Sequence, residues 1–314
     1  MQKKRLIRIV LGWALAAAII FYLIRLIYVN HDELQSWDWD INWGFAFLSA
    51  VFLGLGYICA CQAWRIIISG FGFKIKYHQA FRVTYLANLG RYIPGKVWQV
   101  FGMVGLAKEL GIPAKVSLAS FALNQAYALP ASFLLIPVMM GSLQSIAALS
   151  VYRDILYIFC GLFFIVFLFF FFAPGGLNRL LNWILRIFRQ ESVNYNPNMA
   201  DRIVIFLLYI LNWLFFGVAF HFYLTALHGD KIIPIHYAIG GYVTAYVLGY
   251  ISFISPGGIG FREGIMTAIL SPFFGAPVAA SISLINRIWI TIAETVISLI
   301  ALATYRIGKR NKAQ

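Results

Sequence analysis

Two proline-glycine breaks interrupt strongly apolar stretches of the chain, and each break has charged residues beside it. A proline-glycine pair cannot continue a helix, so it leaves backbone amides and carbonyls that hydrocarbon cannot satisfy. The helix that follows such a break presents free N–H groups and the positive end of its dipole, which favours an anion such as phosphate. The candidate residues are Arg91, Pro94, Gly95 and Lys96 at the first break, and Pro256, Gly257, Gly258, Gly260, Arg262 and Glu263 at the second.

Further polar residues lie inside apolar stretches. Arg287 and Glu294 are two helical turns apart and share a helix face. Asn124 and Gln125 lie in an earlier apolar stretch, at the position that corresponds to Arg287 under the internal repeat described below. An unpaired charge at bilayer depth costs about 2.5–3.5 kcal/mol, so each charge is predicted to face the protein interior with a partner. Two roles stay open for these residues: they line a substrate site, or they join helices and neutralise one another.

Glu263 is adjacent to Arg262, and adjacent residues lie on different faces of a helix. We therefore expect no direct contact between the two side chains. A carboxylate at the mouth of a broken helix, without a partner on its own face, is suited to proton exchange. The sequence predicts that Glu263 takes up or releases a proton as an anionic group arrives or leaves.

The composition indicates that most of the chain lies in a lipid bilayer. Hydrophobic residues make up 61% of the 314 residues and charged residues only 11%, which is far more apolar than a water-soluble domain of this length. The expected fold class is all-α, a polytopic helical membrane protein with about six full spans and two re-entrant hairpins. The apolar run that ends at Val29 is too long for a secretory signal and is expected to be a retained span.

Span length places the elements along the chain. Full spans are predicted at 6–29, 41–68, 114–140, 152–173, 202–227 and 277–306. The segments 79–110 and 236–275 contain the two breaks, and complete crossings there would place Lys108 and Lys115 outside the cell. We therefore expect two re-entrant hairpins, the first entering from the cytoplasm and the second from outside.

The charge distribution sets the orientation. The chain has 25 basic and 11 acidic residues, a formal net charge of +14, and its basic clusters fall in segments that can share one side. That side is cytoplasmic by the positive-inside rule, which places both termini in the cytoplasm. Residues 177–188 combine apolar residues with arginines and are expected to form an amphipathic helix on the inner leaflet.

A weak internal repeat relates residues 1–148 to residues 149–314, together one membrane domain. His78-Gln79-Ala80 resembles His236-Tyr237-Ala238, the two proline-glycine pairs correspond, and Gly111-Ile112-Pro113 resembles Gly275-Ala276-Pro277. Each half contains three full spans and one hairpin, and an odd number of crossings inverts the second half. The inversion brings the two breaks toward each other near the membrane midplane.

Other chemistries find little support. Cys59, Cys61 and Cys160 all lie in apolar stretches and are expected to be small buried hydrophobes. The sequence has no metal-ligand pattern, no nucleotide-binding glycine loop and no nucleophile elbow. We therefore expect no metal, no cofactor and no catalytic activity, and the absence of a soluble basic domain argues against nucleic acid as a partner.

The stretches from Asn88 to Trp98 and from Pro256 to Gly264 resemble the two signature motifs of the flippase-like membrane-domain family, which includes the transmembrane part of lysylphosphatidylglycerol synthases. The motif positions that match are Arg91, Pro94, Gly95, Lys96, Pro256, Gly257, Gly258, Gly260, Arg262 and Glu263. The resemblance implies translocation of a phosphate-containing lipid between leaflets of a bacterial or archaeal cytoplasmic (inner) membrane. The chain ends soon after Arg306, so the aminoacyl-transferase domain of the synthases is not expected in it.

The sequence thus predicts a flippase for a phospholipid or a polyprenyl-phosphate lipid, with anionic lipid headgroups as its ligands. Two alternatives stay open: a membrane scaffold of a lipid- or glycan-synthesis complex, and an intramembrane enzyme on lipid-linked substrates. A second copy of the chain or a synthesis enzyme also stays open as a partner.

Overall fold

The computed structural model describes residues 19–30, 32, 40–92, 98–140, 147–227, 233–251 and 258–310. All regular structure in these ranges is helical, which confirms the predicted fold class. The helices, in chain order, are α1 (Ile19–Val29), α2 (Trp43–Ser69), α3 (Tyr77–Asn88), α4 (Trp98–Lys108), α5 (Ala114–Met140), α6 (Ala147–Phe172), α7 (Pro174–Ile187), α8 (Met199–Leu227), α9 (Ile235–Ile251), α10 (Phe261–Phe274) and α11 (Ala276–Arg310), with a short 3-10 turn at Leu89–Tyr92.

Four helices in the described ranges, α2, α5, α8 and α11, are long and apolar enough to cross a membrane. They coincide with four of the six predicted spans. The other two predictions correspond to shorter apolar helices within the described residues, Ile19–Val29 and Tyr157–Phe169, the latter part of the 26-residue helix α6. The protein is an integral, polytopic helical membrane protein.

The first broken segment folds as a hairpin of α3 and α4, the first hairpin. The side-chain amide of Gln99 donates to Asn88 Oδ1 over 2.5 Å, and the guanidinium of Arg82 lies 3.3 Å from the carboxylate of Glu109. Contacts thus join the end of one limb to the start of the other, so the limbs are antiparallel. Limbs of 12 and 11 residues are about 16–18 Å long and do not span a ~30 Å hydrocarbon core.

The second broken segment forms a second hairpin of α9 and α10. The rings of Tyr237 and Phe273 meet at 4.7 Å, while Gly249 packs against Arg262 at the other end of the limbs. These limbs are therefore also antiparallel. Both segments have the helix-break-helix form that was predicted, whereas their entry into the membrane from opposite faces stays a prediction.

Each hairpin is followed by a glycine with a positive φ. Gly111 and Gly275 have the same positive φ of 77°, a conformation that residues with a side chain adopt rarely. The amides of Gly111 and Ile112 bond the last carbonyls of α4, which ends that helix. Pro113 directly precedes α5, and Pro277 is the second residue of α11. The glycine-x-proline motifs of the proposed repeat thus share a positive-φ glycine but not the same hydrogen bonds, and the inverted repeat itself stays a prediction.

Contacts divide the described chain into two compact units, one with residues 19–54 and 215–293 and one with residues 55–92, 98–214 and 294–310. In the first unit, Tyr223 donates to the carbonyl of Ile282 and the Trp289 indole donates to Ser49. In the second, the Trp64 indole donates to Ser120, and Asn212 donates to the carbonyl of Gly56. The units are defined by contacts and are not the two halves of the sequence.

Within the second unit, the two ends of the first hairpin meet one surface segment, residues 188–198. Before the hairpin, the amide of Asn196 donates to the carbonyl of Gly70 over 3.0 Å. After it, the ammonium group of Lys115 donates to Glu191 over 2.7 Å, and this hydrogen bond and charge hold the pKa of Glu191 below its usual range. The chain therefore enters and leaves the first hairpin at the same side of this unit.

Candidate functional site

The candidate site in the first unit is built at the start of α10. Gly258 and Gly260 have φ values of 72° and 82°, and this turn directs the chain into the helix. Gly260 is the N-cap, so Arg262 and Glu263 occupy the second and third helical positions. The N–H groups of this first turn have no partner within the helix. Cationic and amide donors are therefore grouped at one helix end.

Arg262 is buried, with 6% of its surface exposed, and its guanidinium lies over two tyrosine rings. The ring centroids of Tyr242 and Tyr246 are 5.1 and 5.0 Å from the guanidinium carbon, within cation-π range. Among the described residues, Nη2 of Arg262 has no hydrogen-bond partner. Aromatic faces stabilise the charge but accept no in-plane hydrogen bond, so a donor stays available in a buried position.

Close packing of the second hairpin positions this arginine. A Cβ added at Gly249 would lie 2.9 Å from Cβ of Arg262, and one at Gly258 would lie 2.9 Å from the carbonyl oxygen of Gly249. Thr267, one turn beyond Glu263, bonds Ser283 of α11 over 3.2 Å. The hairpin is thus held both along its own seam and against α11.

Glu263 is 2% exposed and has two partners that the sequence reasoning missed. Oε2 accepts the N–H of Gly260 over 2.7 Å, and Oε1 lies 3.6 Å from Nη1 of Arg287 on α11. An N3 glutamate that accepts the N-cap amide is half of a capping box. Glu263 was expected to lack a partner on its own helix face; a residue on another helix and the backbone turn supply its contacts.

Glu294 also has a partner from another helix. The hydroxyl of Tyr57 on α2 donates to Glu294 Oε1 over 3.1 Å within the second unit. Arg287 and Glu294, which share a helix face, each contact a residue of another helix, Glu263 and Tyr57 respectively. Seven residues of helical spacing fix the common face but say nothing about which neighbouring helix comes closest.

Asn124 and Gln125 lie on α5 in the second unit. Asn124 accepts a hydrogen bond from the hydroxyl of Tyr209 on α8, and Gln125 is half-buried. The contact of Asn124 fits the role of joining helices.

Several predicted site residues lie outside the described residues. Arg91 falls in the turn Leu89–Tyr92, where its backbone alone is described. Pro94, Gly95, Lys96, Pro256 and Gly257 fall outside the described ranges, so their part in the site stays a prediction.

The described part of the first unit thus brings together Arg262, Glu263 and Arg287 with the glycine turn. The group contains two guanidiniums and one carboxylate; Arg287 is paired with that carboxylate, and Arg262 lies over tyrosine rings. Such a site, with amides and a guanidinium at a helix N-terminus, suits a phosphate or carboxylate group. No cluster of three His, Cys, Asp or Glu side chains able to hold a metal occurs among the residues described.

Tyr242, Tyr246 and Gly249 were missed at the sequence level. The two tyrosines are one helical turn apart, so they share a face of the limb that precedes the break. That spacing was a usable signal once the segment was taken as a hairpin, because Arg262 lies in the first turn of the partner limb.

Comparison with known proteins agrees with the span pattern. A protein family described as the Lysylphosphatidylglycerol synthase TM region matches residues 8–298. The match covers most of the chain and includes both hairpins. No curated protein matches the chain at a significant level.

Proposed function

Since the chain belongs to the family of the Lysylphosphatidylglycerol synthase TM region, we propose that it moves a lipid with an anionic, phosphate-containing headgroup between the leaflets of the membrane. The membership itself establishes a lipid-related membrane protein. The anionic headgroup and the transport step are the parts that we propose.

The observation that carries the proposal is the buried guanidinium of Arg262. A cation at membrane depth costs about 2.5–3.5 kcal/mol on insertion scales and is retained mostly where it has a function. Glu263, the carboxylate next to it in sequence, is engaged by Gly260 and Arg287. Arg262 lies against tyrosine faces, and its Nη2 has no hydrogen-bond partner within the described part of the chain. A phosphate oxygen would supply the missing acceptor, and such a charge-assisted bond is worth about 1.5–3 kcal/mol.

In this proposal the headgroup leaves the leaflet surface and binds at the N-terminal turn of α10, while the acyl or prenyl chains stay in lipid. Lys96 and Arg91 of the first break stay predicted ligands of an anionic headgroup. Alternating access is expected to involve the broken helices, as in other transporters that contain them.

In this proposal the protein makes and breaks no covalent bonds of the lipid. It acts in the cytoplasmic membrane with both termini in the cytoplasm, and anionic lipids are its ligands. Scaffolding and intramembrane catalysis are the competing functions, and transport of lipid by the purified protein separates them.

The test uses proteoliposomes with a fluorescent phosphatidylglycerol and a membrane-impermeant quencher that reports the outer leaflet. We expect faster leaflet exchange than in protein-free vesicles, and little acceleration by the protein for a fluorescent glycosyl diacylglycerol, whose polar headgroup lacks phosphate. Chromatography of the recovered lipid should show it unchanged. Exchange equal to that of protein-free vesicles would leave a scaffold, and a modified lipid would indicate an enzyme.

A further inference from the structure

Helix α7 lies at the surface of the second unit and is fixed there by one apolar stripe. Leu177, Leu181 and Leu185 are four residues apart and buried, and α7 contacts α5 and α6. Pro174 begins the helix, and Arg189 ends it with a φ of 54° while the amide of Gln190 bonds the carbonyl of Leu185. The stripe therefore determines which side of α7 faces the protein.

Two asparagines fasten one flank of α7 to the following segment. Asn178 accepts the amide of Tyr195 over 2.9 Å and donates to the carbonyl of the same residue over 2.9 Å. Asn182 makes the equivalent pair with Val193, at 2.8 and 3.1 Å. These four bonds satisfy the backbone of the segment and prevent rotation of α7 about its own axis. The remaining face is thus set by the structure.

That remaining face is itself amphipathic. Arg179 and Arg186 are two turns apart and exposed, so they form a basic strip. Beside this strip, Trp183 is 60% exposed and Ile187 is 62% exposed, one turn apart. Phe172, at the end of the apolar helix directly before α7, is 65% exposed, so the apolar surface continues from that helix onto α7.

We propose that this face of α7 binds the anionic headgroups of the adjoining lipid leaflet, at a place separate from the Arg262 site. A tryptophan beside arginines is suited to the membrane interface, where the ring lies at headgroup depth and the guanidiniums meet phosphate. Basic residues at the surface attract anionic lipid. The face thus collects anionic lipids beside the protein, whether or not the protein transports them.

The test places an environment-sensitive fluorophore at Ile187→Cys in a full chain whose Cys59, Cys61 and Cys160 are replaced by alanine. This keeps Trp183 in place. The protein is reconstituted in nanodiscs of phosphatidylcholine alone or mixed with phosphatidylglycerol, and quenching by brominated lipid and by iodide is compared. We expect quenching by brominated lipid to increase several-fold with phosphatidylglycerol and quenching by iodide to decrease. The same fluorophore at Ser192→Cys, on the exposed segment after α7, should be quenched by iodide in both kinds of nanodisc.

Charge variants decide whether α7 itself is responsible. Arg179→Gln with Arg186→Gln should remove the dependence on phosphatidylglycerol, whereas Lys74→Gln with Lys76→Gln removes equal charge elsewhere and should leave it intact. The proposal is overturned if the label at 187 behaves like the label at 192, or if both pairs of variants have the same effect. Neither result depends on transport, so failure here and failure of the transport proposal are distinguishable.

Discussion

Two buried arginines, Arg202 and Arg262, have different neighbours and therefore different expected roles. Arg202 donates to the carbonyls of Phe171 and Pro197 over 3.0 and 3.2 Å, so its charge fastens the chain between two helices. Arg262 lies against tyrosine faces instead, with Nη2 unbonded among the described residues. Carbonyls in fixed positions satisfy both terminal nitrogens of Arg202, whose Nε lacks a partner among the described residues, whereas ring faces leave the terminal Nη2 of Arg262 available to a ligand. The second arrangement is the one expected of a binding residue.

Glu263 is expected to stabilise the fold rather than to carry a proton. Glu263→Gln keeps an acceptor for the amide of Gly260 but removes the charge that faces Arg287, which is only 23% exposed. We predict a loss of about 1–3 kcal/mol in the free energy of unfolding, seen as a lower melting temperature in detergent.

Glu109→Gln is the matched control for this change. It removes the carboxylate of a more exposed ion pair with Arg82, which should cost about 1 kcal/mol or less. An unchanged melting temperature in Glu263→Gln, together with a lost pH dependence of lipid flux, would restore the proton-carrier hypothesis.

At the scale of elements, the breaks and spans were predictable and the partners across helices were not. Proline, glycine and apolar run length act locally, so they indicated six spans and two helix-break-helix segments, and four of the six are long apolar helices in the described residues. The pairing of Arg287 with Glu263 depends on which helices pack side by side, and one sequence does not contain that information. The position of Arg262 over the rings of Tyr242 and Tyr246 depends on the register of two antiparallel limbs, and this register is set by the glycine contacts.

Close backbone approach at Gly90 is predicted to hold the first hairpin together. A Cβ at Gly90 would lie 2.7 Å from the backbone of Trp98 and Gln99, so Gly90→Ala must separate the limbs. We expect a loss of about 1–3 kcal/mol in stability, as in other overpacked sites. Gly105→Ala in the same hairpin meets open space and should be neutral or stabilising. Equal melting temperatures for the two variants would show that the close approach is not required.

At the scale of the whole molecule, the sequence alone does not show how the basic segments come to lie on one side of the membrane. The contacts of Lys115 with Glu191 and of Asn196 with Gly70 join the ends of the first hairpin to one surface segment of the second unit. A complete crossing by this segment would separate those contacts. These contacts fit the hairpin expected from the distribution of charge, whereas its re-entry into the membrane and the inverted placement of the second hairpin stay predictions.

Cysteine accessibility tests the inversion. His78 and His236 are exposed and begin corresponding limbs of the two hairpins. In intact cells, an impermeant maleimide should label His236→Cys, while His78→Cys should react only after the membrane is permeabilised. Labelling of both from one side would rule out the inverted repeat while leaving each hairpin intact.

The central claim is that Arg262 binds the phosphate of a transported lipid, and exchange of fluorescent phosphatidylglycerol in proteoliposomes tests it most directly. Arg262→Ala should slow exchange about tenfold or more, since a charge-assisted bond of about 1.5–3 kcal/mol is lost. Arg262→Lys should recover part of the rate, because lysine keeps the charge without the planar fork. Arg25→Ala, which removes an exposed arginine of α1, is the control and should exchange at the wild-type rate. Wild-type exchange in Arg262→Ala, at equal protein and equal melting temperature, would contradict the account.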